Sequence, residues 1–115
     1  MATNNKAELK ITISDDTKKA ARATKELYNR IDSQGGFKGE KGGRASSQIG
    51  GNLKLVEQLR NQQNLSKTEY EGFRKALHAA SKALTEYAAS ITTLSDDANK
   101  LKKQIGDLSE KYNKA

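Results

Sequence analysis

Residues 70–112 read YEGFRKALHAASKALTEYAASITTLSDDANKLKKQIGDLSEKY, and this stretch decides the predicted fold. Apolar or aromatic residues recur in it at alternating spacings of three and four, without a lapse. A repeat of about 3.5 residues keeps one stripe of a helix facing a partner helix. The sequence therefore predicts an elongated all-α protein with one long heptad-repeat helix over residues 67–112. We call the repeating residues the seam: Tyr70, Phe73, Leu77, Ala80, Leu84, Tyr87, Ile91, Leu94, Ala98, Leu101, Ile105, Leu108 and Tyr112.

The predicted long helix cannot be hidden inside so small a protein. At about 1.5 Å per residue it would extend for roughly 65–70 Å. The pattern is typical of a coiled coil or an open helical bundle, and it predicts that the seam contacts protein partners. We expect a homo-oligomer or a complex with other proteins. Small residues flank the seam and favour a bundle of three or more helices: Ala76, Ser81, Ala83, Ala88, Ser90 and Ser95.

The N-terminal segment, residues 1–33, predicts an extended arm followed by a short helix. In residues 7–14, Leu9, Ile11 and Ile13 alternate with polar side chains, which is the period-two pattern of a strand. Since no second strand pattern is present, this segment either pairs with another chain or rests as an extended arm on helices. Ser14 precedes two aspartates and is a good N-cap, which predicts a helix over residues 15–33.

The next segment, residues 34–51, contains seven of the nine glycines of the chain. Glycine loses the most backbone freedom on ordering, so this composition predicts a flexible linker. From residue 52 onward helix-forming residues return, and residues 52–115 predict a helical coiled-coil segment with a break near residues 64–66. Ser66 and Glu69 have the spacing of a capping box, which predicts the start of the long helix.

The composition argues against an enzyme. Of the 115 residues 34% are hydrophobic, with two Phe and no Trp, so few large side chains are available to enclose a buried pocket. The chain has no Cys and one histidine, His78, which the seam spacing places at the edge of the polar face. Nucleophilic triads and structural zinc sites are built from such residues. We therefore predict no catalytic residues, no cofactor and no metal.

Hydropathy and charge indicate a soluble protein made in the cytoplasm. No apolar run approaches the roughly 18 residues that a membrane span requires, and the first residues lack the apolar stretch of a signal peptide. The net charge of +7 permits contact with nucleic acid. No groove-reading motif is present, so a nucleic-acid partner is possible but not favoured.

The order of these elements resembles a known family. A short strand, ELKITI at residues 8–13, leads into a Lys/Ala-rich helix, a Gly-rich stretch and a heptad helix that ends DANKLKKQIGDLSEKYNKA at residues 97–115. This order is similar to the N-terminal region of the tail tape-measure proteins of long-tailed bacteriophages. The resemblance implies an elongated virion structural protein that occupies the tail tube, sets tail length and assembles with tail chaperones and tube subunits in a bacterial host cell. A fully helical chain of this length reaches only about 170 Å, which implies a fragment or a small protein of the same build.

Two other classes of function stay open. One is a small helical inhibitor or adaptor that binds a host protein through its apolar stripe, as a phage anti-defence protein would. This class predicts a stable one-to-one complex. The other is a basic, nonspecific nucleic-acid binder, whose affinity would fall steeply with added salt. If the function is tape-measure-like, we expect the protein to self-associate or to bind tail components, and we expect added salt to have little effect on that binding.

Overall fold

A computed structural model describes residues 11–114, and the side chains of residues 11–107. This part of the chain contains four α-helices: α1 (Asp15–Ser33), α2 (Gly39–Leu59), α3 (Lys67–Ala89) and α4 (Ser95–Lys114). A short 3-10 helix (Thr92–Leu94) lies between α3 and α4. The central helix, α3, packs against the other three, whereas α2 and α4 make no close contact with each other within the described residues. The predicted all-α class is therefore confirmed.

Two serines begin helices where the sequence predicts. Ser14 begins α1, and its Oγ accepts a hydrogen bond from the backbone N–H of Thr17 at 3.2 Å. Ser66 begins α3 with a complete capping box. The N–H of Glu69 donates to Ser66 Oγ at 3.1 Å, and the N–H of Ser66 donates to Glu69 Oε1 at 2.9 Å. Both predicted helix starts are confirmed.

The arm before α1 pairs within its own chain. The N–H of Ile11 donates to the carbonyl oxygen of Leu65 at 2.9 Å, and the N–H of Leu65 donates to the carbonyl oxygen of Ile11 at 2.8 Å. These two bonds form a single antiparallel bridge. Ile13 is buried in the core while Thr12 is exposed. Residues 11–14 therefore follow the second of the two predicted alternatives, an extended arm on helices. Residues 7–10 of the predicted strand lie outside the described residues.

The prediction of one continuous helix over residues 67–112 was wrong. The helix α3 ends at Ala89, and the chain turns at Ile91, whose φ of −103° and ψ of 107° are extended. The residues around this turn are serine, isoleucine and two threonines, which have low helix propensity. By turning here, the chain folds α4 back along α3. The two halves of the seam then bury each other and need no second chain.

The prediction of a flexible linker over residues 34–51 was also wrong, because residues 39–51 are helical and belong to α2. Two glycines on this helix face aromatic side chains at short range. A Cβ at Gly42 would lie 2.7 Å from the backbone of Phe37 and 3.0 Å from Tyr87 Oη, and a Cβ at Gly50 would lie 3.0 Å from Tyr28 Oη. This close packing outweighs the roughly 1 kcal/mol by which each glycine disfavours a helix relative to alanine.

Three aromatic rings hold the start of α2 in place. The ring of Phe37 lies between those of Tyr28 and Tyr87, with centroid separations of 5.2 and 5.0 Å. The Tyr28 hydroxyl forms a hydrogen bond with Ser46 Oγ on α2 at 3.0 Å. The Tyr87 hydroxyl donates to the carbonyl oxygen of Gly36 in the connection before α2. The cluster therefore joins α1, α3 and the Gly-rich segment.

Candidate functional site

The structure places most of the predicted seam inside the protein. The partly buried residues Tyr70, Tyr87 and Ile91 pack against the same core as the buried ones. Leu108 and Tyr112 lie outside the residues whose side chains are described. In this conformation the seam is occupied by contacts within the chain, so it leaves little apolar surface for a partner. The buried seam residues are Phe73, Leu77, Ala80, Leu84, Leu94, Ala98, Leu101 and Ile105.

A groove of about 540 Å³ runs between α3 and α4. His78, Lys82 and Glu86 are exposed on its α3 rim, and Lys102 is exposed on its α4 rim. Along α3 the groove extends from His78 to Ala89, which is about 17 Å or three helical turns. A groove of this length between two helices matches a third helix of three to four turns.

The floor of the groove offers few polar groups to a ligand. Ala98 and Ile105 contribute buried apolar surface from α4. The buried hydroxyls of Ser81 and Thr85 also line it, but each donates to its own helix: Ser81 Oγ to the carbonyl oxygen of Leu77 at 2.7 Å and Thr85 Oγ1 to that of Lys82 at 3.0 Å. Because these donors are already used, the floor favours apolar side chains over a polar small molecule.

The charges on the two rims favour an acidic ligand. Lys82 and Lys102 are exposed on opposite rims, and neither takes part in an ion pair within the described residues. Glu86 is the one carboxylate among the lining residues. The long-range field adds to this preference, because the chain carries a net charge of +7.

The site has no arrangement of side chains that indicates a reaction. His78 is exposed on the groove rim, one position after the buried Leu77, as the seam spacing predicts. Within the described part of the chain, no group of three or more His, Cys, Asp or Glu residues could hold a metal ion. No helix in that part is long and apolar enough to cross a bilayer.

No protein-family model, no curated protein and no solved structure matches the chain. The groove itself was not predicted from the sequence. Its signal is the presence of small residues in and beside the seam: Ala98 belongs to the seam, and Ser81 in α3 and Gly106 in α4 lie next to it. Those residues line a common groove only after α4 has folded back along α3.

Proposed function

We propose that this chain is a small helical protein-interaction module, and that its groove between α3 and α4 binds an acidic amphipathic helix of a partner protein. The observation that carries this proposal is an apolar-floored groove with an exposed lysine on each rim. Amphipathic helices bind in such grooves by inserting apolar residues spaced three and four apart. The proposal keeps the broader prediction of an interaction protein that acts through helix packing. It restricts the contact surface from the whole seam to the groove, whose floor includes two seam residues, Ala98 and Ile105.

Small side chains around the groove favour a helix as the occupant. Ala89 and Gly106 line it together with Ala98, so a partner backbone can come close to the groove at these three positions. Helices packed in this way approach to about 8–10 Å between axes, and the smaller the contacting residues, the closer they come. Apolar residues of the partner would meet Ala98 and Ile105, while its acidic residues would face Lys82 and Lys102.

The test uses a defined probe, a helical peptide of about 16 residues with leucine and alanine on one face and glutamate at the flanking positions. A matched peptide carries lysine in place of glutamate. Binding is measured by fluorescence anisotropy, and the contacted residues are mapped by amide chemical shifts of the isotope-labelled protein. We expect the acidic peptide to bind, and to shift amides of residues 78–89 and 98–106 more than those of α2.

Charge reversal separates the groove from the overall charge of the protein. Lys82→Glu combined with Lys102→Glu replaces two attractions by two repulsions, each worth about 0.2–1 kcal/mol, so affinity should fall by at least about fourfold. Lys41→Glu combined with Lys54→Glu changes the net charge equally on exposed positions of α2 and should have little effect. An equal loss in both variants, or peptide shifts confined to α2, would contradict the proposal. Duplex DNA is measured in the same assay. If the protein binds the DNA as tightly as it binds the acidic peptide, and about 0.5 M salt abolishes the DNA binding, the protein is a nucleic-acid binder instead.

The tape-measure-like function stays a prediction. It requires an extended helix, and its support is the order of elements in the sequence together with the unbroken 3-4 spacing of the seam. The inhibitor or adaptor function requires a surface for one partner, and the groove supplies a surface of that kind. The groove therefore supports an adaptor more directly than a tail-length ruler.

A further inference from the structure

The turn between α3 and α4 departs from helical geometry at very few residues. Ser90 has φ of −76° and ψ of −12°, and Ser95 has φ of −63° and ψ of −34°, both in the right-handed helical region. Residues 92–94 form a 3-10 helix, whose angles lie close to those of an α-helix. Of Ser90, Ile91 and Ser95, Ile91 alone is extended, with ψ of 107°. The turn contains no glycine, no proline and no residue of positive φ.

The seam keeps its phase across this turn. Tyr87, Ile91 and Leu94 continue the alternation of four and three without interruption. A hairpin requires the 3-4 spacing within each of its two helices. It does not require the spacing to continue in register from one helix to the next, because the turn changes the direction of the chain. A straight helix does require that phase, since one stripe must face the partner along its whole length. The sequence therefore satisfies a requirement that the hairpin does not impose.

The positions of α3 and α4 that face each other across the groove are the same positions that would face each other in a symmetric dimer. Residues equally distant from position 92 line it together: Lys82 with Lys102, and His78 with Gly106. Two straight antiparallel helices related by a twofold axis near position 92 bring the same pairs of positions together, one from each chain. Such an interface is isologous, which is the commonest arrangement in homodimers.

We infer that two copies of this chain exchange α4, with Ile91 as the hinge. In the exchanged dimer residues 67–114 form one helix of about 70 Å, and α4 of each copy packs on α3 and α1 of the other. Contacts made within the monomer are then made between copies, including the ion pair in which Arg30 Nη1 lies 2.6 Å from Asp97 Oδ2. Only the turn changes its structure, so exchange is governed by the hinge and by protein concentration. This inference goes beyond the proposed function, since the groove is present in both forms.

The natural chain, refolded at near-millimolar and at low micromolar concentration, is compared by sedimentation velocity and light scattering. We expect a species of twice the 12.6 kDa monomer mass at the higher concentration. Thr92→Ala combined with Thr93→Ala raises helix propensity in the hinge and should tighten dimerisation about tenfold or more. A monomeric mass for both proteins at every concentration would overturn the inference.

A proline at position 92 is compatible with the hairpin and incompatible with the straight helix. It would occupy the first position of the 3-10 helix and follow the extended Ile91, which is the conformation that precedes proline most readily. In a continuous helix the same proline loses a hydrogen bond and clashes with the preceding turn in both chains. Thr92→Pro should therefore weaken dimerisation by a factor on the order of 10⁴. If circular dichroism shows that this variant does not fold, two glycines inserted after Ile91 replace it, because they permit the hairpin and destroy the phase. Dimerisation as strong as that of the natural chain in the variant that folds overturns the inference.

Distances within one chain distinguish exchange from simple docking of two hairpins. The chain contains no cysteine, so spin labels can be attached through Lys75→Cys and Asp107→Cys, both at exposed positions. Doubly labelled chains are refolded with an excess of unlabelled chains, so that each measured distance lies within one chain. Exchange predicts about 48 Å along a straight helix, against about 20 Å or less in the hairpin. A dimer that retains the short distance would overturn the inference.

Discussion

Two adjacent glycines lie in α2, Gly42 and Gly43. We expect substitution by alanine to lower the free energy of unfolding at Gly42 and to raise it at Gly43. A Cβ at Gly43 would meet nothing within 4 Å, so Gly43→Ala should stabilise the protein by about 1 kcal/mol through helix propensity. A Cβ at Gly42 would lie 2.7 Å from the backbone of Phe37 and 3.0 Å from Tyr87 Oη. Backbone atoms cannot yield as the end of a side chain can, so α2 has to shift. The overpacking of about 1–3 kcal/mol then exceeds the gain in propensity.

The assay is urea unfolding of both variants, followed by far-ultraviolet circular dichroism. Gly43→Ala should raise the midpoint by about 0.5 M, and Gly42→Ala should lower it, with unchanged slopes. Equal stabilisation by both would refute the packing of α2 on the aromatic cluster. No effect at Gly43 would show that this segment is not helical, which returns it to the linker that its composition predicts.

Two further substitutions test the helix start and the core. Ser66→Ala removes the N-cap oxygen that accepts from Glu69 and should destabilise the protein by about 1 kcal/mol in the same urea assay. The control Thr68→Ala, an exposed change in the first turn of α3, should have an effect within about 0.5 kcal/mol. Similar losses in the two variants would count against the capping box. Phe73→Ala empties a fully buried site on α3 and should cost about 3–5 kcal/mol, measured as a lower midpoint or outright loss of helicity. A loss below about 1 kcal/mol would mean that this ring is not in the core.

Features determined by neighbours in the chain were predictable from the sequence. Ser14 and Ser66 cap helices through atoms three residues away, so the local pattern is sufficient to identify them. The seam spacing likewise identified which face of α3 and which face of α4 is buried, as Leu77, Leu84 and Leu101 show. A repeat of about 3.5 residues specifies a buried stripe, but not whether the helix that covers it belongs to the same chain.

Features determined by distant contacts were not predictable. Gly42 and Gly50 disfavour a helix by themselves, and they are helical because Tyr28, Phe37 and Tyr87 from other segments pack against them. Amino-acid composition reflects the low helix propensity of glycine, but it contains no information about the tertiary packing that compensates for it. The groove is a product of the turn at Ile91, so it was equally absent from a prediction that extended one helix through that residue.

The absence of close contact between α2 and α4 within the described residues has a consequence for how the protein opens. Both helices rest on α3, but neither supports the other, so detaching α4 exposes its own interface and leaves the one between α2 and α3 in place. Local unfolding in proteins follows such boundaries, with outer units opening at lower free energy than the centre. Amide protons of α4 can therefore exchange with solvent when α4 alone detaches, while α3 keeps its interface with α2. The last helix thus has an opening equilibrium of its own.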